Sequence, residues 1–104
     1  MTDRRQRMRR QCGRQSVPVT AFVGHELWQP AIHDISAAGI GIVLNESVEP
    51  GTLVTVALLN QPANFWHMKV ARVVHATAQN DGTWLVGNRF LQVFSEEQLH
   101  ALLN

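Results

Sequence analysis

With 104 residues, 45% of them hydrophobic, the chain can build one core and one domain, and a disordered chain is excluded. No apolar run reaches the roughly eighteen residues of a spanning helix, and the basic N-terminus lacks the apolar segment of a secretory signal. The single cysteine excludes an internal disulfide and a Cys-based zinc site, and the whole fits a cytoplasmic location.

The formal net charge of +1 hides an uneven distribution. Residues 1–14 hold six arginines (Arg4, Arg5, Arg7, Arg9, Arg10, Arg14) against Asp3, a net of +5. Residues 15–104 hold Lys69, Arg72 and Arg89 against seven carboxylates, a net of −4. Residues 1–15 are expected to form a flexible arm that seeks an anionic partner, with residues 16–104 as the folded body. From Ser16 to Gly24, Val17, Val19, Ala21 and Val23 alternate with Pro18, Thr20 and Phe22, a strand pattern whose early part Pro18 confines to an edge. Gly24-His25 predicts a turn, and Leu27 to Ile35 a second strand made irregular by Pro30. Ala37-Ala38-Gly39 predicts the next turn and Ile40 to Leu44 a third strand.

Pro50-Gly51 is a strong turn pair. Thr52 to Leu59 is apolar on both faces, which predicts a buried strand. Asn60 to Asn64 is expected as a loop, Phe65 to Ala78 as a long strand, Asp81-Gly82 as a hairpin turn, and Thr83 to Leu91 as the last strand. Ser95-Glu96-Glu97-Gln98 has the capping-box pattern and opens a short helix with Leu99, Leu102 and Leu103 on its apolar stripe. Six closely spaced strands and a terminal helix predict an all-β antiparallel barrel, whose closure would hide its edges.

Two short motifs carry chemistry. Arg10-Gln-Cys-Gly-Arg14 places two guanidiniums four residues apart. Twenty residues beyond Arg14 comes Asp34-Ile-Ser36-Ala-Ala-Gly39. Guanidinium forks match phosphate oxygens and the guanine O6/N7 edge. A carboxylate accepts from guanine N1–H and N2–H₂, and a glycine lets a ligand approach the backbone. Each motif also has a plain reading: an arginine tail is often only solvated, and Asp, Ser and Gly are ordinary turn residues. A rigid turn and a binding role are compatible.

Together, in this order and spacing, the two motifs resemble the signature of the PilZ domain, a family of bacterial receptors for cyclic di-GMP. The resemblance covers essentially the whole chain, and Trp84-Leu-Val-Gly-Asn-Arg-Phe90 followed by a short helix also resembles a PilZ ending. It implies a six-stranded barrel with a basic N-terminal arm. It assigns Arg10 and Arg14 to guanine and phosphate groups, Asp34 to guanine, Ser36 to a phosphate or nearby polar group, and Gly39 to making room for a base. In the family, a long basic residue at the place of Arg9 accompanies an intercalated ligand dimer, which implies two ligand molecules per site, with Arg9 as one more arm charge the alternative. His75 is a further candidate as a stacking surface, with a half-buried barrel histidine as the alternative. Arg89 can serve a phosphate or pair with a surface acid. Trp28, Trp66 and Trp84 are read as packing residues, and Cys12 as a spacer whose arginine neighbours would lower its pKa.

No Walker loop, GxSxG or zinc pattern occurs, and His25, His33, His67, His75 and His100 lack tight ligand spacing. No catalysis, metal or cofactor is therefore expected. The expected role is a stand-alone cyclic di-GMP receptor or adaptor that closes its arm over the barrel and presents the altered face to a downstream protein. Two rivals stand beside it. One is a basic-armed barrel for nucleic acid, disfavoured by the acidic body and the absence of a basic–aromatic stripe. The other is a PilZ-like adaptor that binds no ligand.

Overall fold

The computed structural model describes residues 10–11, 18–60 and 64–103. They form β1 (Arg10–Gln11), β2 (Val19–Val23), β3 (Glu26–Trp28), β4 (Ala31–Ile35), β5 (Gly39–Leu44), β6 (Leu53–Asn60), β7 (Phe65–Ala78), β8 (Trp84–Phe90) and α1 (Glu96–Leu103). The strands build one sheet in the order β1-β4-β5-β8-β7-β6-β2-β3, antiparallel at every pairing and curled into a half-barrel.

The all-β class and the terminal helix match the expectation, but eight strands replace six. Gln29-Pro30 divides the expected second strand, because proline offers no N–H to the ladder. The halves then take different neighbours: β3 pairs with β2, and β4 pairs with β5. The additional strand is β1, where Arg10 pairs with Ile35 and Gln11 with Asp34. The rest of the arm expected over residues 1–15 lies outside the described residues.

Alternation along each strand builds the core. Val19 and Ala21, Ile40 and Ile42, Val54, Val56 and Leu58, Ala71 and Val73, and Val86 and Phe90 all face inward and are buried. Each valine, leucine, isoleucine or phenylalanine among them contributes about 1.5–3 kcal/mol relative to exposure. Phe94, Leu99 and Leu102 belong to the same core. Residues 52–59, predicted as a buried strand, bury Val54, Val56 and Leu58 on the inner side and Ala57 on the outer side, while Leu53 is exposed. On the same outer surface lie exposed Trp66, Met68 and Val70 of β7, whose partners on β6 are Leu59, Ala57 and Thr55. Of the tryptophans, Trp28 and Trp84 pack partly against the core and Trp66 is exposed.

Local chemistry sets the ends of the elements. Gly82, with φ 88°, makes the β7–β8 turn, and the Asp81 carboxylate accepts from Thr83 N at 3.0 Å and Thr83 Oγ1 at 2.6 Å. The capping box at α1 is reciprocal: Gln98 N donates to Ser95 Oγ, and Ser95 N donates to Gln98 Oε1, both at 3.0 Å.

Replacing Ser95 by Ala removes the acceptor for Gln98 N and should destabilise the domain by about 0.5–2 kcal/mol, read from urea unfolding. The side-chain bond from Thr83, with its backbone N–H second, holds the Asp81 carboxyl below its ordinary value of 3.8. A depressed folded pKa means that stability is present above pH 3.8 and is lost as pH falls through the lower folded value. Asp81→Asn should therefore flatten the acid limb of the stability–pH curve, measured by thermal melts across that range.

Candidate functional site

The site begins with the register of the two central strands. In β5, Ile40, Ile42 and Leu44 face the core, so Gly39, Gly41 and Val43 face outward. In β8, Val86, Asn88 and Phe90 face inward, so Leu85, Gly87 and Arg89 face outward. The pairing sets Gly41 opposite Gly87 and Gly39 opposite Arg89. One step outward, Asp34 of β4 lies opposite Gly41, and His75 of β7 lies opposite Gly87. Asp34, Gly41, Gly87 and His75 thus form one row across four strands on the outer face.

Both ends of this row depend on a break in strand periodicity. The β4–β5 register shifts between Ile32 and Asp34, and the β7–β8 register shifts between Val73 and His75. Each shift inserts one residue, His33 in β4 and Val74 in β7, both exposed. Ile32 and Ile35 can therefore both be buried although three residues apart, as can Val73 and the half-buried Ala76. A bulge re-aims the residue that follows it, and here the re-aimed residues are Asp34 and His75.

The turn between β4 and β5 is tied by Ser36. Ser36 N donates to Gly39 O at 2.9 Å, and Ala38 N donates to Ser36 Oγ at 3.3 Å. The serine is 2% exposed, so its hydroxyl serves the turn. The turn is also stitched to the end of β8, since Phe90 N donates to Ala38 O and Phe94 N to Ala37 O, both at 2.8 Å. At Gly39 the β8 backbone comes so close that a side chain would meet Asn88 O. Gly39, Gly41 and Gly87 have no left-handed φ, so space and not backbone freedom is what glycine supplies here.

The remaining expected site residues fall as follows. Arg10 belongs to β1, whose backbone pairs with Ile35 and Asp34 of β4, so one end of the first motif meets the start of the second. Arg9, Cys12 and Arg14 lie outside the described residues. Arg89 is exposed on the outer face beside Gly39, opposite Arg72, whose Nη1 donates to Gly51 O at 3.2 Å. His75 is exposed, and its ring lies over Gly87. Sequence reading had not picked out Gly41, Gly87, Arg72 or Asn88. Asn88 is buried, and its Nδ2 donates to Ile40 O and Val86 O at 3.1 Å each. No cluster of His, Cys, Asp and Glu suited to a metal ion occurs among the described residues. No helix among them is long and apolar enough to cross a membrane.

A family profile for the PilZ domain matches residues 3–104. The chain belongs to the PilZ domain family. Solved structures place the same PilZ fold beside it. The inhibitor of motility MotI/DgrA of Bacillus subtilis superposes with a TM-score of 0.72 at 18% identity, over 97% of this chain and 49% of that one. This PilZ chain therefore spans about half the length of MotI/DgrA. The PilZ domain of YcgR from Escherichia coli, solved with c-di-GMP, superposes with a TM-score of 0.64 at 16% identity, over 96% of this chain and 86% of that one. A search of curated protein sequences found no match.

In this PilZ fold Gly39 should tolerate no side chain, because the neighbouring atom is backbone and cannot swing away. Gly39→Ala should cost about 1–3 kcal/mol of stability by urea denaturation, the usual range for forcing a methyl into a filled space.

Proposed function

We propose that this chain is a cyclic di-GMP receptor that signals to a protein partner and catalyses nothing. The observation that carries the reading is the meeting of the two motifs. β1, which contains Arg10, runs antiparallel to the end of β4 that contains Asp34. Membership of the PilZ family and the likeness to a YcgR domain solved with c-di-GMP support the choice of ligand.

In this reading Arg10 and Arg14 clamp the phosphates and a guanine edge, through the paired N–H geometry that guanidinium offers. Asp34 accepts from guanine N1–H and N2–H₂. Ser36 and Gly39 hold the turn that fixes Asp34. His75 offers a ring for stacking, and Arg89 with Arg72 a cationic border for a phosphate. Arg9 adds a third guanidinium at the arm, which suits a stacked pair of ligands. Ordering arm residues costs about 1–2 kcal/mol each, so the arm closes only where several charge-assisted contacts form together. The receptor acts in the cytoplasm, where a ligand-dependent arm position changes the charge of one face.

The reading of an adaptor with a partner but no ligand also has an observation in its favour. Leu27, Leu53, Trp66, Met68 and Val70 leave large apolar side chains exposed, a composition that marks protein contacts.

Titration calorimetry with cyclic di-GMP, with GTP and a short single-stranded DNA as controls, tests the proposal. Saturable, selective binding of cyclic di-GMP is expected, and the molar ratio counts ligands per site. Arg14→Ala should weaken it by about tenfold or more, as should Asp34→Ala. Absence of binding by the unaltered chain overturns the ligand, and binding of DNA that falls steeply with salt would favour the nucleic-acid reading.

A further inference from the structure

The row Asp34–Gly41–Gly87–His75 has a feature that neither motif contains. Its two inner positions, on the two central strands of the site, carry no side chain. Neighbouring strands lie about 4.8 Å apart, so the backbones of Asp34 and His75 are about 14 Å apart with only glycine between them. Both flanking side chains lean into that gap. An ideal Cβ on Gly41 would lie 2.7 Å from Asp34 Oδ1. An ideal Cβ on Gly87 would lie 2.6 Å from His75 Nε2, 2.7 Å from Cε1 and 3.3 Å from Cδ2. The carboxylate and the imidazole thus rest directly on the backbone of β5 and β8, in volume that any other residue would fill.

We infer that Gly41 and Gly87 are positioning residues for ligand recognition: together they set the height and tilt of Asp34 and His75 above the sheet. The inference rests on the cyclic di-GMP reading for the identity of the ligand, but its geometric part does not. A planar base has a thin edge for hydrogen bonding and a flat face for stacking. A carboxylate can accept from that edge only when it lies in the plane of the base, and an imidazole stacks only when parallel to it. Both conditions are settled by how low the two groups lie. A methyl at Gly87 would lift the ring at three of its atoms, and a methyl at Gly41 would push the carboxylate away from the strand.

The substitutions are informative because the backbone itself accepts them. Neither glycine has a positive φ, and alanine within a strand is otherwise no worse than glycine. A loss of binding in a folded variant therefore reports the displaced neighbour. Gly87→Ala should weaken cyclic di-GMP binding about tenfold with the melting temperature little changed, and Gly41→Ala should do the same. His75→Ala should weaken binding comparably, and adding Gly87→Ala to His75→Ala should then have no further effect, since the group being positioned is gone. Asp34→Ala and Gly41→Ala should be non-additive in the same way.

A second measurement needs no ligand. The His75 ring resonances of the free protein, followed by NMR, should move in Gly87→Ala while those of His25 and His100 stay in place. Unmoved His75 resonances overturn the inference, as does a Gly87→Ala variant that binds like the unaltered chain or that loses as much affinity in the His75→Ala background. If the unaltered chain binds no cyclic di-GMP while the His75 resonances do move, the ligand reading falls and the positioning geometry stands.

Discussion

The close antiparallel contact of β5 with β8 is the constraint on which the site depends. At Gly39 the two backbones approach so nearly that no side chain fits between them. That contact locks the register, and the register places Gly41 opposite Gly87. Because the side-chain period of a strand is two, a slip by one residue would bring Ile40 and Ile42 to the surface and bury the glycines in the core. Burial of those isoleucines therefore holds the glycine row outward as firmly as it holds the core inward. The same register sets Asn88 opposite Ile40, where its amide donates to the Ile40 and Val86 carbonyls from within the apolar layer.

Bulges complete what the central pair begins. An undisturbed strand would put Ile32 and Asp34 on the same face, and would put Val73 and His75 on the same face. The extra residues His33 and Val74 break that rule once in each flanking strand. The isoleucine and valine stay in the core, and the carboxylate and imidazole go outside. The site thus costs the core nothing in apolar burial, while the local twist that accompanies a bulge brings each flanking side chain over the neighbouring glycine.

Electrostatics and apolar exposure divide the outer surface into two zones. One zone holds the glycine row with Arg89 and Arg72 beside it, next to the strand that carries Arg10. The other, over β6 and β7, holds exposed Leu53, Trp66, Met68 and Val70, and these two strands contain no carboxylate. The zones meet along β7, where Arg72 follows Val70 on the same face. Arg72 therefore lies on the border between the charged zone and the apolar one.

Much of this was legible in the residues themselves. Alternation marked the first strand, apolar runs between turn signals marked the longer ones, Asp81-Gly82 marked the hairpin, Ser95 with Gln98 marked the helix start, and the two motifs marked the family. These signals are local, since each depends on the chemistry of a few consecutive residues. Pro30 announced an irregularity but could not say that β3 and β4 would pair with strands on opposite sides of the sheet. The apolar outer face of β6 is covered only in part, with Ala57 buried and Leu53 exposed, because composition cannot tell which face a neighbour will cover. Gly41, Gly87 and the outward turn of His75 were equally hidden. What the sequence alone determined is the class of fold, its punctuation and the family to which the chain belongs. Which residues share a row, and that two glycines lie between Asp34 and His75, was decided only by tertiary structure, because strand register joins residues from four separate segments and no single segment encodes it.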